Sequence, residues 1–135
     1  MDSTDRRIVE ELSACGRITM KELGKKVHLT GQAAAARVLK LEAEGFIEGY
    51  TVRINELKMG YNVHCFINIY TKGMEHTDYL SFLKEHPSNV IHNFKISGEG
   101  CYLLECRFHS PADLNSFLNE LNQLANYKLS IVIDR

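Results

Sequence analysis

Apolar positions fall at helical spacing in three short stretches at the start of the chain and alternate in strand-like runs through the rest. In the first stretch Ile8, Val9 and Leu12 form one face, behind Asp2 as a cap and Asp5 in the first turn, and Gly16 ends the helix. Thr19 caps a second helix, with Glu22 placed for a capping box and Leu23 and Val27 four apart on the inner face. The third, "LTGQAAAARVLKLEAEG" (29–45), has Thr30 as cap and Gly45 as stop. About three residues separate the second helix from the third, the spacing of a helix-turn-helix.

Beyond Gly45 the period changes. "FIEGYTVRI" (46–54) is rich in β-formers and predicts a small hairpin, a wing behind the third helix, and "NELKMGYN" (55–62) reads as a polar linker. A strand at 63–71, a helix at 76–86 stopped by Pro87, strands at 89–97 and 101–109 around the turn "GEG", and a helix opened by Ser110 and Pro111 follow. "YKLSIVIDR" is the last strand. In the 89–97 strand Val90, His92, Phe94 and Ile96 alternate against more polar residues. The order β-α-β-β-α-β is ferredoxin-like. The predicted class is therefore α+β: a winged helix-turn-helix domain (1–54), a linker (55–62) and a ferredoxin-like domain (63–135). Because His64, Phe66 and Tyr70 alternate with Cys65, Ile67 and Ile69, the sheet has no wholly polar face, which predicts a second copy of the chain against it in a symmetric dimer.

Composition narrows the function. In 135 residues, 44% hydrophobic and 24% charged, no apolar run reaches the length of a membrane helix, and the opening residues do not read as a secretory signal. The expectation is a cytoplasmic protein. A net charge of −1 argues against a nonspecific nucleic-acid coat. Residues 1–53 hold nine basic and eight acidic side chains and residues 54–135 hold seven and nine, so the slight positive excess lies at the N-terminus. Cys15, Cys65, Cys101 and Cys106 form no C-x-x-C pair and read as reduced thiols. Six histidines form no i, i+4 helical pair; His64 and His92 approach across the sheet, with no acidic third partner evident. No hydrolase, P-loop or dinucleotide motif is present, so the chain reads as neither enzyme nor metal or cofactor protein.

Several spaced segments carry a resemblance. "MDSTDRRIVEEL" is similar to L-D-x-x-D-x-x-I-L-x-x-L, "GRITMKELGKKVHLT" to G-R-x-[ST]-x-x-E-L-[AGS]-x-x-V-x-L-S, and "RVLKLEAEGFIEGYTVRIN" to R-[VI]-x-x-L-E-x-x-G-[VI]-I-x-G-Y. "LKMGYN" fits K-x-L-G-x, and "SGEGCYLLEC" stands where G-x-[YF]-D-[YF]-[LM]-L is expected. In that order, over essentially the whole chain, they resemble the Lrp/AsnC (feast/famine) family of transcription regulators. The resemblance implies double-stranded DNA as partner, dimers that often assemble into octamers, and an amino-acid effector held near the turn between the second and third strands.

On a helical wheel Ala34, Val38 and Leu41 lie within about 60° and face inward. Gln32, Ala36, Leu39 and Ala43 lie opposite, with Ala35 alongside and Arg37 and Lys40 on one flank. The family commonly has arginines where this chain has Ala36 and Leu39. Base reading then falls to Gln32, which pairs with adenine, and to alanine contacts with thymine methyls. Arg37 and Lys40, helped by Arg17, Lys21, Lys25 and Lys26, supply the positioning charge, and Thr30 with the amides behind Gly31 supplies a phosphate site. The expected reader has modest base specificity, A·T-leaning sites and dependence on DNA shape. Helix propensity and close packing are the competing account of the alanines, strongest for Ala34.

The expected effector site is Gly98, Glu99, Gly100, Cys101 and Tyr102, although Tyr102 also suits sheet packing. Exposed amides at the two glycines suit an α-carboxylate. The family's aspartate after this turn is Cys101 here, which disfavours a charged amino acid such as lysine and points to a small neutral one, with Glu99 a partial substitute for the missing carboxylate. The alternative is an architectural DNA-binding protein with no effector.

Overall fold

Three capped helices build the first of two units in the computed structural model, which describes residues 1–135 and divides into Met1–Arg53 and Ile54–Arg135. Helix α1 (Ser3–Ala14) starts in a reciprocal capping box: Asp2 Oδ1 accepts from the Asp5 amide at 2.8 Å, and Asp5 Oδ2 accepts from the Asp2 amide at 3.2 Å. Helix α2 (Met20–Val27) starts at Thr19 and α3 (Gly31–Ala43) at Thr30, each hydroxyl accepting the amide three residues on at 3.1 Å. Their inner faces meet in a core of Ile8, Ile18, Leu23, Val27, Ala34, Val38 and Leu41.

The α2–α3 turn is tight because Gly24 lets it be. The Leu29 amide donates to the Gly24 carbonyl at 2.8 Å, and a Cβ on Gly24 would stand 2.5 Å from the Leu29 carbonyl oxygen. His28 turns the chain with a φ of 62°.

The predicted hairpin at 46–54 does not form: no residue of this stretch is in a strand. Of its side chains only Ile47 packs on the helical core, whereas Tyr50 and Val52 are 55% and 76% exposed. Two-residue hairpin turns need positive φ in the loop, and Gly49 does not adopt it. A lone two-stranded ribbon without an apolar face to pack is marginal, so the stretch stays irregular.

The second unit is a four-stranded antiparallel sheet in the order β2-β3-β1-β4, with β1 (Val63–Thr71), β2 (Val90–Lys95), β3 (Tyr102–Phe108) and β4 (Ala125–Ile131). Helices α4 (Thr77–Lys84) and α5 (Pro111–Leu121) cover one face, where Tyr79, Phe82, Phe117 and Leu121 pack on Cys65, Ile67, Ile69, Leu104, Cys106 and Phe108. Burial pushes the Cys65 thiol up to about 11, in keeping with an inert core residue. The register puts His64, Phe66, Asn68 and Tyr70 of β1 beside Arg107, Glu105 and Leu103 of β3 on the other face.

Strand β2 breaks the expected alternation. Val90 pairs with Cys106 and His92 with Glu105, so Ile91 is an extra residue in a β-bulge, and Val90 and His92 point to opposite faces. Residues 55–62, expected as a linker, belong to the second unit. Arg107 Nη1 donates to both carboxylate oxygens of Glu56 at 2.9 and 2.8 Å, and its guanidinium lies 4.3 Å from the Tyr61 ring centroid. Tyr61 in turn stacks on His109 at 4.2 Å.

Candidate nucleic-acid interface and effector turn

Helix α3 presents Gln32, Ala36, Leu39 and Lys40 to solvent, with Ala35 half-buried and Leu39 67% exposed. Ala34, Val38 and Leu41 are buried, as the wheel requires. At the start of α3 the Thr30 hydroxyl is committed to the Ala33 amide, while the Gly31 and Gln32 amides precede the first helical bond and remain available to an anion. Arg17, Lys21 and Lys25 are exposed with no carboxylate within salt-bridge distance. Lys26 lies 3.6 Å from Glu11, and Lys40 lies 4.0 Å from Glu44, both contacts loose and solvated.

Arg37 is placed differently from the flank charge read in the sequence. Its Nη1 donates to Asp2 at 2.7 Å and to Asp5 at 3.2 Å, tying α3 to the capping box of α1. The Asp5 amide, first, and then the Arg37 guanidinium hold the Asp2 carboxyl below the usual carboxylate range. A depressed carboxyl stabilises the fold above its unfolded titration and loses that contribution as pH falls through the folded one. The Asp2 contribution to this tie is therefore lost as pH falls below the ordinary aspartate range. Replacing Arg37 with alanine is expected to destabilise the first unit, since Asp5 is left half-buried with its ion-pair partner gone. Thermal melts of the two proteins read this directly.

At the other site, the chain passes from β2 to β3 through Gly98, Glu99 and Gly100, with φ of 130° at Gly98 and 98° at Gly100. The Cys101 amide donates to the Ile69 carbonyl at 2.7 Å, which presses the turn onto the end of β1. The Gly98 and Glu99 amides make no bond to the protein. The Glu99 carboxylate accepts from the Tyr70 hydroxyl at 2.7 Å and lies 3.9 Å from Lys128 Nζ, while Asn68 donates to the Glu99 carbonyl at 2.8 Å. Glu99 is thus engaged by its own domain.

Cys101 is half-buried at the foot of the turn. The Thr71 hydroxyl donates to its Sγ at 3.3 Å and, with the Thr71 backbone and more distant Lys95, holds the thiol below its ordinary range. Since the one Thr71 proton points to sulfur, His76 Nε2–H must donate to Thr71 Oγ1, 2.9 Å away. His76 Nδ1 is then a bare acceptor for the Tyr102 hydroxyl, also at 2.9 Å. Tyr102 itself is buried in the sheet core and reaches the turn only through this relay. Thr71 and His76 carry no motif, and nothing in the spacing of the sequence marks them; the register of β1 against β3, with Ile69 opposite Tyr102, brings Cys101 and Tyr102 to them.

Residues 1–48 match the family described as winged helix-turn-helix DNA-binding, and residues 64–135 match the Lrp/AsnC ligand binding domain. The chain belongs to the Lrp/AsnC family. Among curated Lrp/AsnC relatives, the HTH-type transcriptional regulator LrpA of Bacillus subtilis is 50% identical over 135 residues, covering 100% of this chain and 99% of its own length. The solved structure of B. subtilis LrpC superposes with a TM-score of 0.93 at 28% identity, covering 100% of this chain and 96% of that one. A feast or famine regulatory protein from M. tuberculosis, solved in complex with L-methionine, is 30% identical with a TM-score of 0.89, covering 99% and 92%. The Lrp/AsnC chain is accordingly a helix-turn-helix transcription regulator carrying a ligand-binding domain of the Lrp/AsnC type, and not an enzyme. None of its helices is long and apolar enough to cross a membrane.

Proposed function

We propose that this regulator reads A·T-leaning DNA largely by groove shape and methyl contacts, and that a small neutral amino acid at the β2–β3 turn tunes its affinity or assembly. The observation that carries the first part is the exposed surface of α3: Gln32, Ala36 and Leu39 present one bidentate hydrogen-bonding side chain and two apolar ones, and Arg37 is held by Asp2 and Asp5. Phosphate contact then falls to Arg17, Lys21, Lys25, Lys26 and Lys40, with the Gly31 and Gln32 amides beside Thr30. A salt titration of operator binding tests this assignment. Lys21→Gln and Lys25→Gln are each expected to reduce the salt slope by about 1, whereas Arg37→Gln leaves the slope unchanged. A footprint centred on a strict G·C motif would refute A·T reading.

For the effector, the free Gly98 and Glu99 amides suit an α-carboxylate, and Gly100, Cys101 and Tyr102 shape the floor of the turn. With Glu99 engaged by Tyr70 and Lys128, and a thiol at Cys101, no free carboxylate awaits a cationic side chain. The methionine complex of the M. tuberculosis relative supports a neutral amino acid. Calorimetry is expected to show binding of small neutral amino acids and not of lysine, and Cys101→Asp is expected to gain lysine binding. No binding of any amino acid at millimolar concentration would favour an architectural protein without effector.

The uncovered sheet face supports pairing with a second copy. Phe94 is 52% exposed there against Leu103 and shares the face with Phe66, an apolar patch that a two-fold axis sets against its own copy. Further assembly of dimers to octamers follows from the resemblance alone.

A further inference from the structure

Three side chains from three strands meet on that uncovered face. His64 Nε2 lies 2.6 Å from one oxygen of Glu105, and His92 Nδ1 lies 2.9 Å from the other. No acidic partner of His64 and His92 is evident along the chain; the fold supplies one, and the bulge at Ile91 brings His92 opposite Glu105. On its far side His64 Nδ1 receives a hydrogen bond from Arg135 Nη2 at 3.1 Å. A guanidinium only donates, so that nitrogen carries no proton and the proton of His64 is on Nε2, directed at Glu105. The imidazole is neutral and fully satisfied in this arrangement. A second proton on Nδ1 would set donor against donor and expel Arg135.

The other charged or titratable groups on this face are Tyr70 of β1, Arg107 of β3, Lys128 of β4, and Asp134 and Arg135 beyond it; β2 adds none besides His92. Arg107 is neutralised by Glu56, and Tyr70 and Lys128 are turned toward Glu99. Partial burial favours the protonated form of Glu105, but the hydrogen bonds from His92 and His64 outweigh it and hold its carboxyl below the usual range. Its carboxylate stays ionised beside the two imidazoles.

We infer that pairing of two copies through this face is proton-linked, with His64 and His92 neutral in the paired state and their protonation driving the copies apart. The inference rests on the proposed pairing through the sheet. With both imidazoles neutral, Glu105 and Arg135 cancel. With both protonated and Arg135 expelled, two imidazolium charges face the single Glu105 carboxylate, and each copy brings one uncompensated positive charge to a surface that pairing would strip of water. The paired state binds fewer protons than the separated one, so pairing strengthens as pH rises and weakens as it falls, through the range of about pH 5–8 where histidine changes charge.

Sedimentation equilibrium of the full chain at pH 8.0 and 5.5 tests it. The dissociation constant of the dimer is expected to rise at least about tenfold on acidification, and the rise should shrink to less than about twofold in the double variant His64→Gln, His92→Gln. The single variant His92→Gln, whose side chain is 58% exposed, guards against loss of folding in the double variant and should show an intermediate dependence. Equal dissociation constants at the two pH values would overturn the proton linkage while leaving the dimer intact. A full acid response in both variants would assign it to other groups and overturn it as well. A chain that is monomeric at pH 8.0 and high concentration would refute the pairing itself, and the linkage with it.

Discussion

Gly24→Ala is expected to abolish DNA binding by unfolding the first unit while the sheet domain stays folded. The added methyl would stand 2.5 Å from the Leu29 carbonyl oxygen and 3.0 Å from two backbone atoms of Thr30. Backbone cannot rotate away as a side chain can. Relief requires parting α2 from α3, which breaks the Leu29–Gly24 bond and draws Leu23 and Val27 off Ala34 and Val38. Overpacking of this kind costs about 3 kcal/mol or more, against a total of about 3–8 kcal/mol for a unit of this size. Circular dichroism should show the early helical transition shifted down or gone, and a mobility-shift assay should show no complex at 37 °C. Gly49→Ala is the control, since nothing lies within 4 Å of its added methyl. A Gly24→Ala melting temperature within two degrees of the parent would refute the account.

Gly100→Ala should silence the effector response and leave effector-free DNA binding as it was. A methyl there meets the Ile69 carbonyl oxygen at 2.7 Å, on a residue with φ of 98°. That carbonyl accepts the Cys101 amide, so the displacement falls on the bond that seats the turn against β1 and on the Thr71 contact to Cys101. Strain at such a φ costs about 1–3 kcal/mol, enough to reshape a turn but not to unfold a domain with a core of two helices on four strands. Amino-acid affinity measured by calorimetry is expected to fall at least about tenfold, the equivalent of 1.4 kcal/mol. Gly98→Ala meets no atom within 4 Å, so at its own φ of 130° it adds backbone strain without the clash at Ile69 and should lose less. Unchanged affinity in Gly100→Ala would place the effector elsewhere.

What was legible in the sequence was local. Caps at Asp2, Thr19, Thr30 and Ser110 mark helix starts because a side-chain oxygen satisfies an amide three residues away, and that relation is written in the chain. The alternation in β1 and β3 announced two faces of a sheet. The features that escaped depend on partners distant in sequence. Arg37 looked like a free flank charge because its carboxylates lie 35 and 32 residues earlier. Glu105 was invisible as the partner of His92 because the bulge shifts the β2 register by one, where parity alone put Val90 and His92 together, and as the partner of His64 because the two lie 41 residues apart. The hairpin at 46–54 failed for the opposite reason: its composition suits a strand, but no neighbour in the chain completes a ladder.

The surplus residue at Ile91 also bears on how this sheet keeps to itself. β2 is an edge strand, and a flat edge offers a row of free amides and carbonyls to any passing strand. A bulge twists the ladder and breaks its even spacing, which blunts open-ended growth toward fibres. It also stores slack. Removing Ile91 would bring Val90 and His92 into consecutive pairing with Cys106 and Glu105, so this border of the domain tolerates a one-residue change in length without re-registering the strands behind it.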